Sequence, residues 1–226
     1  MKNVYPRIGL VAVLATLAAG TPGVGALCPQ NAPDSSGTSR LTYNKVLKGS
    51  IPEYTAITVD VNGKGTYEGR KLEDPPNPRT IQLSTTTTRR LFELARQLNY
   101  FQSIDLESHK RVANLGLKTF VYQARGQTNR VEFNYTLNRD AQELTSMFNK
   151  ISSVEQHVAA LEYSLRFDHL GLPHELRLIQ IDLDNQALVD PELMVPMLKK
   201  IAGNSRFLHL AQSRAQDILR RLQAAN

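Results

Sequence analysis

Apolar and polar residues alternate along the first part of the chain as they do in half-buried β-strands. Residues 57–61 (ITVDV) follow this two-residue period, and Asn62-Gly63 is a strong hairpin signal because both residues tolerate a positive φ. Residues 65–69 (GTYEG) form the returning strand, and residues 79–83 form a third strand beyond a loop that contains three prolines. The pattern predicts an antiparallel hairpin with a type I′ turn, followed by one more strand.

A helix and a second hairpin come after the first hairpin. Ser84 or one of the threonines at 85–88 is expected to cap the helix, whose apolar stripe contains Leu91, Leu94, Ala95 and Leu98. The polar segment 102–114 is a loop, and residues 117–124 and 131–135 form the second hairpin, with Gly126-Gln127 at its turn. Two antiparallel β-hairpins packed with a helix make an α+β domain, which we assign to residues 42–137.

The hydrophobic period becomes helical at Arg139 and stays helical to the end of the chain. Apolar residues at 144–151 and at 154–165 form two stripes, and Gly171-Leu172-Pro173 interrupts the pattern before the next helix. Asp190-Pro191-Glu192 then has the pattern of an N-cap and a helix start. Four or five short helices are predicted for residues 138–226. The predicted fold class is therefore α+β, with an all-α C-terminal helical region.

The N-terminus has the composition of a bacterial secretory signal peptide. Lys2 and Arg7 are followed by an uncharged apolar run of about 12 residues, which is too short to span a bilayer as a helix. Small residues before Leu27 predict cleavage after Ala26, so residues 1–26 are removed. Residues 27–41, rich in Pro, Ser and Gly, then form a flexible linker. The predicted protein is exported, and is periplasmic or secreted.

Cys28 is the only cysteine, so the mature chain cannot form an internal disulfide and must rely on packing for its stability. A cysteine close behind a signal peptide is also a candidate for lipid attachment, which would anchor the chain to a membrane. Leu27 disfavours lipidation, because the residue before a lipidated cysteine is small. The two alternatives, a lipid anchor at Cys28 and an unmodified thiol, stay open at this point.

The net charge of +6 is unevenly distributed along the chain. Residues 27–138 contain 15 basic and 10 acidic residues, and residues 139–226 contain 10 basic and 11 acidic residues. Basic residues never occur more than two in succession, which is typical of a solvated surface and disfavours nucleic acid as a partner. Anionic envelope polymers or lipid headgroups fit this charge better. No stretch after residue 26 is apolar enough to predict a transmembrane segment.

Glycine and tyrosine recur in two short motifs, Gly49-x-x-Pro52-x-Tyr54 and Asn62-Gly63-x-Gly65-x-Tyr67-x-Gly69. Together with the helix that ends near Phe101 and the later hairpin, these motifs resemble an exported bacterial family, the domain of unknown function 6438. The similarity covers residues 42–155, implies export and an α+β fold, and assigns no activity. Family members carry a cysteine where Ile51 stands here, so no role of that cysteine is implied for this chain.

The sequence lacks the motifs of the common catalytic and metal-binding classes. Its five histidines form no H-x-x-x-H or H-E-x-x-H pattern, and neither G-x-S-x-G nor a P-loop occurs. His169 and His174 flank a Gly-Leu-Pro turn, where a solvated loop is favoured over a metal contact. Asp182 and Asp184 cannot face each other at i, i+2 on a helix and are expected to point to solvent. We predict no cofactor and no metal.

Six residues form a candidate binding face for glycans or an anionic polymer. They are three tyrosines on predicted strands and three arginines close to them: Tyr67, Arg70, Tyr122, Arg125, Arg130 and Tyr135. Aromatic residues on strands more often pack in the core or across strands, and that alternative stays open.

These observations favour a non-catalytic envelope or secreted interaction module. Its expected partner is another envelope or secreted protein, bound through the α+β domain or the helical region, and the oligomeric state is not predicted. Two alternatives remain: a small hydrolase with an unrecognised active site, and a surface-tethered lipoprotein. A pocket lined by convergent polar groups would favour the hydrolase.

Overall fold

Six antiparallel strands and five α-helices make up residues 38–224, the part of the chain that the computed structural model describes. The strands are β1 (Arg40–Val46), β2 (Tyr54–Asp60), β3 (Lys64–Arg70), β4 (Arg79–Gln82), β5 (Leu117–Ala124) and β6 (Gln127–Phe133). The helices are α1 (Thr85–Gln97), α2 (Arg139–Phe167), α3 (Leu172–Asp184), α4 (Val195–Ala202) and α5 (His209–Ala224). The α+β fold class is confirmed. The predicted signal peptide and Cys28 lie outside the described residues.

The strands form one sheet in the order β4-β3-β2-β1-β5-β6. Both predicted hairpins are present, because β2 pairs with β3 and β5 pairs with β6. Strand β1 was not predicted, and it joins the hairpins by pairing with β2 on one side and β5 on the other. It begins at Arg40, at the end of the segment predicted as a linker, and buries Leu41 and Tyr43 on one face.

The two hairpin turns differ from the predicted ones. The loop between β2 and β3 has three residues, and only Gly63 has a positive φ (80°), so the predicted type I′ turn at Asn62-Gly63 is wrong. The carboxylate of Asp60 accepts hydrogen bonds from the backbone N–H of Asn62 and of Lys64 and holds this loop. The second hairpin has the two-residue loop with two positive φ angles, at Arg125 and Gly126.

Ser84 caps α1 as predicted, since its side chain accepts a hydrogen bond from the N–H of Thr87. Asp190 was predicted to cap its own helix, but its side chain makes no such bond. Instead, its carboxylate accepts from the N–H of Ser84 (2.8 Å) and the hydroxyl of Thr87 (2.7 Å). A negative charge at a helix N-terminus is stabilising, and this one connects the C-terminal region to α1.

Helix α2 is a single helix of 29 residues, where the sequence pattern indicated short helices. Its first half packs with the sheet and α1 in one buried cluster, whose residues lie between Leu41 and Ile151 in the sequence. Its second half packs with α3 and with the turn Pro191–Met194, and it shares with α4 and α5 a buried cluster whose residues lie between Val154 and Leu222. None of the described helices has both the length and the apolar composition needed to cross a bilayer.

Candidate functional site

Two of the predicted site residues, Tyr67 and Tyr122, lie on the side of the sheet that the helices cover. Tyr67 pairs with Ile57, Ile57 pairs with Tyr43, and Tyr43 pairs with Phe120, which is two residues from Tyr122. Tyr67 is only 5% exposed, and Tyr122 is half-buried. Tyr135 follows β6 and is also half-buried. Tyr67 therefore packs in the core, which is the alternative to a binding face that the sequence left open.

The three arginines do not all lie beside these tyrosines on one surface. Arg70 and Arg130 occupy strand positions of the opposite parity and face the uncovered side of the sheet, whereas Arg125 lies in the β5–β6 turn. Arg70 donates to Glu68, and its guanidinium lies 4.5 Å from the ring centroid of Tyr54. Arg130 forms an ion pair with Glu132. The six residues thus occupy several surfaces, and ligand binding by any of them stays a prediction.

Tyr67 and Arg70 both border a cleft between the β3–β4 edge of the sheet and α2. The cleft has a volume of about 460 Å³, within the range of small-ligand pockets. Strands and the loop before β4 form one wall, and one face of α2 forms the other. The lining residues are Tyr67, Gly69, Arg70, Asn77, Arg79, Glu155, Gln156, Ala159 and Glu162.

Glu155 is the distinctive residue of this cleft. It projects from α2 and is only 5% exposed, and its carboxyl group receives no hydrogen bond from the described residues. Burial raises the pKa of its carboxyl group, and the charge of Glu162 acts in the same direction. The charge of Arg79 opposes this shift without cancelling it. Such a buried carboxyl group in a cleft is a candidate for ligand recognition.

The polar neighbours of Glu155 are engaged with each other. Arg79 donates to the carboxylate of Glu162 at 3.2 Å, so its charge is already compensated in part. The hydroxyl groups of Tyr67 and Ser152 are 3.4 Å apart, and burial raises the pKa of Tyr67. Gln156 donates to the hydroxyl of Ser152 at 3.1 Å. The carboxyl group of Glu155 therefore keeps all of its hydrogen-bonding capacity for a ligand, as far as the described residues are concerned.

Gly69 explains how the Tyr67 ring reaches this position. A Cβ atom at Gly69 would overlap the hydroxyl group of Tyr67, so the glycine leaves the space that the ring occupies. The repeated glycines of the motif around Tyr67 thus serve the geometry of the hairpin and of the cleft wall.

A second concave surface contains Tyr122. The ring of Tyr122 stacks on Tyr100 at a centroid distance of 4.4 Å, and Phe92 meets it edge-on at 6.5 Å. Tyr100 belongs to a short turn, Asn99–Phe101, in which all three residues have φ between 50° and 63°. Non-glycine residues adopt this left-handed conformation at an energetic cost, which here places Tyr100 on Tyr122 and Phe101 in the core.

One histidine lies inside the protein rather than on its surface. His157 of α2 is 8% exposed, and its Nδ1 lies 2.6 Å from the carboxylate of Glu175 while its Nε2 lies 2.9 Å from that of Asp182. The expectation that Asp182 points to solvent is therefore wrong. His169 Nε2 lies 3.1 Å from the carbonyl oxygen of Leu165. Within residues 38–224, no group of three potential ligands is arranged to hold a metal ion.

No family model and no curated protein matches the chain. The resemblance to the domain of unknown function 6438 stays a prediction. Ile51, which stands at the family's cysteine position, is 93% exposed in the connection between β1 and β2.

Glu155 and Glu162 were not among the predicted site residues, although the sequence contains a signal for Glu155. Glu155 follows Phe148 by seven residues and Ile151 by four, so it continues the apolar stripe of α2 at a position where burial is expected. A carboxyl group on the buried face of a helix is rare unless it is paired. The apolar stripe thus indicated that Glu155 is buried. The residues of β3 and β4 that face it across the cleft are distant in sequence, so the cleft itself could not be predicted.

Proposed function

We propose that this chain is an exported protein, periplasmic or secreted, that serves as a non-catalytic interaction module for another envelope or secreted protein. The cleft between α2 and the β3–β4 edge receives a segment of that partner. The observation that carries this proposal is the buried carboxyl group of Glu155, which faces the cleft without a hydrogen bond from the described residues.

The charges of the cleft define the group that Glu155 would bind. Arg79 is bonded to Glu162, which leaves the carboxyl group of Glu155 without a cation of its own. A buried carboxylate is stabilised when a charged donor and further hydrogen bonds reach it. A lysine, arginine or amide side chain of the partner supplies those donors. The cleft therefore favours a partner segment that presents such a side chain.

Replacing Glu155 by glutamine tests this role, because Glu155→Gln keeps the size of the side chain and removes its charge. Affinity-tagged full-length chains are crosslinked in envelope preparations, and the captured proteins are quantified by mass spectrometry. We expect recovery of the specific partner to fall about tenfold, equivalent to about 1.4 kcal/mol. Glu192→Gln is the matched control, since Glu192 is exposed and lies outside the cleft. Equal recovery with Glu155→Gln would contradict the proposal.

The same substitution is expected to stabilise the free protein at neutral pH. The raised pKa of Glu155 means that the folded state binds the proton more tightly, so this group destabilises the fold as the pH rises above about 4.3, its ordinary value. Removing the charge should increase the free energy of unfolding at pH 7 by about 1 kcal/mol, as stabilising changes at binding sites do. Urea unfolding of both proteins at pH 5 and pH 7 measures this difference.

A small hydrolase is the second candidate function, and one observation favours it. A buried carboxyl group with a raised pKa is a typical general acid, and Glu162 in the same cleft offers a second carboxylate. Incubation of the purified chain with envelope polysaccharide, followed by detection of new reducing ends, tests this role. Hydrolysis by the wild-type chain that Glu155→Gln abolishes would favour the enzyme over the interaction module.

Export and the state of Cys28 are part of the proposal and have their own test. We expect mass spectrometry of the mature protein to find an N-terminus at Leu27 and an unmodified Cys28 thiol. A mass increase from acyl chains on an N-terminal Cys28 would instead make the chain a surface-tethered lipoprotein.

A further inference from the structure

Two lysines face each other on the covered side of the sheet. They lie on β1 and β5, which do not line the Glu155 cleft. Lys45 of β1 and Lys118 of β5 are directly paired in the antiparallel ladder, so their Cβ atoms lie about 5 Å apart. Both positions are two residues from the core residues Tyr43 and Phe120 and therefore share the covered face. Like charges directly opposite each other destabilise a sheet unless a compensating group is present.

The described residues do not supply that compensating charge to Lys45. The ammonium group of Lys45 makes no ion pair or hydrogen bond with residues 38–224. Glu107 is the acidic residue whose charge acts on Lys118, but its two carboxylate oxygens accept from the N–H groups of Ser108 (2.9 Å) and Asn134 (2.6 Å). The lysine pair therefore retains uncompensated positive charge.

Lys118 is held in a fixed position. Its ammonium group donates to the carbonyl oxygens of Leu115 (3.2 Å), Gly116 (2.9 Å) and Asn134 (2.7 Å), which uses all three of its donors. A Cβ atom at Gly116 would lie 3.4 Å from Cε of Lys45, so both lysine side chains reach the same glycine. Lys118 thus supplies a rigid charge, and Lys45 supplies a charge whose donors are free among the described residues.

A cavity of about 350 Å³ adjoins the two lysines. Its lining has no acidic residue, and its other polar groups are hydroxyl and amide groups. The polar lining residues besides the lysines are Asn134, Tyr135, Thr136, Gln142, Thr145, Ser146 and Asn149. Burial, followed by the charge of Lys45, lowers the pKa of Lys118, which is the expected effect of a cation in a site without an anion.

We infer that this cavity is a binding site for an oxyanion, the phosphate or carboxylate group of an anionic ligand, with Lys45 as its direct donor and Lys118 as its fixed charge. The anion neutralises the repulsion between the paired lysines, and the hydroxyl and amide groups of the lining surround it. Lysine suits this role because its ammonium group binds oxyanions as a point charge. The cavity shares no lining residue with the Glu155 cleft, so the two sites are independent.

Titration of the full-length chain with inorganic phosphate, sulfate and glucuronate, at constant ionic strength, tests the site. Chemical-shift changes of the Gly116 and Lys118 amides report binding, and thermal unfolding verifies that each variant is folded. We expect Lys45→Gln to weaken binding about tenfold, equivalent to about 1.4 kcal/mol. Lys199→Gln removes the same charge from an exposed position of α4 and should leave the affinity within about twofold of wild type.

Each outcome bears on the proposal. Binding of phosphate or sulfate alone supports the site and identifies a phosphate-like ligand group, whereas binding of glucuronate alone supports it and identifies a carboxylate. Absence of binding by the wild-type chain to all three anions would overturn the proposal. So would an affinity that Lys45→Gln leaves unchanged. The partner test on Glu155 is unaffected by either result.

Discussion

Replacing His157 by alanine is expected to lower the free energy of unfolding by about 3 kcal/mol below pH 6.5, because it leaves two carboxylates without their shared cation. Both ring nitrogens of His157 lie within hydrogen-bond distance of a carboxylate, one on Glu175 and one on Asp182. A ring that donates from both nitrogens is an imidazolium, so the arrangement is an ion triad between α2 and α3.

The triad makes stability depend on pH in a defined direction. Burial alone lowers the pKa of His157, but the hydrogen bonds and charges of Glu175 and Asp182 outweigh it and raise the pKa above its usual value. A raised pKa means that the stabilisation is complete below about pH 6.5, the value of an unfolded histidine, and is lost as the pH rises through the folded value. The difference between wild type and His157→Ala should therefore shrink at alkaline pH.

Urea unfolding of both proteins between about pH 5.5 and pH 9 measures this difference directly. His174→Ala is the control, because His174 is exposed at the start of α3 and should change stability by less than about 0.5 kcal/mol. A stability difference between wild type and His157→Ala that stays constant with pH would show that packing, and not the ion triad, accounts for the loss.

Phe120→Ala is expected to be the most destabilising of the substitutions considered, with a loss of about 3–5 kcal/mol. Phe120 is fully buried on β5, where it contacts the sheet, the Asn99–Phe101 turn and α2. Four rings surround it at centroid distances of 5.2–6.2 Å: Phe101, Phe133, Tyr43 and Phe148. Truncation leaves a cavity among groups from four elements, which cannot all move inward together.

Phe167→Ala is the matched control for this loss. Phe167 ends α2 and is 73% exposed, so the same change of side chain there should alter stability by less than about 0.5 kcal/mol. Thermal and urea unfolding of the two variants compare them on one scale. Similar losses for both would contradict the packing of Phe120 described above.

Each element that was predicted correctly is indicated by residues that lie close together in the sequence. The Ser84 cap, the stripe of α1 and the two hairpins each depend on local spacing. Strand β1 was missed because apolar residues alternate at only two of its positions, Leu41 and Tyr43, before Asn44 and Lys45 interrupt the pattern. Its central place in the sheet comes from pairing with β5, which begins about 70 residues later in the chain and has no local signature.

The candidate sites could not be predicted either, because the residues of each site are distant in sequence and meet only in the folded chain. Lys45 and Lys118 meet only through the register of β1 with β5, and Glu155 meets Arg79 only where α2 crosses the sheet edge. The candidate binding face of tyrosines and arginines was predicted from residue type and strand position alone. Tyr67 and Arg70 occupy β3 positions three apart, so their side chains leave opposite faces of the sheet, although both border the cleft at its edge.

Helix α2 has an evolutionary consequence. Leu144 and Phe148 in its first half pack against the sheet. Val154 and Leu161 in its second half pack in the buried cluster of the C-terminal helices. A recombination event just before Arg139 would deprive the sheet of one of the helices that cover it. The smallest segment that gene fusion can transfer to another protein as a folded sheet therefore extends beyond β6 and includes α2.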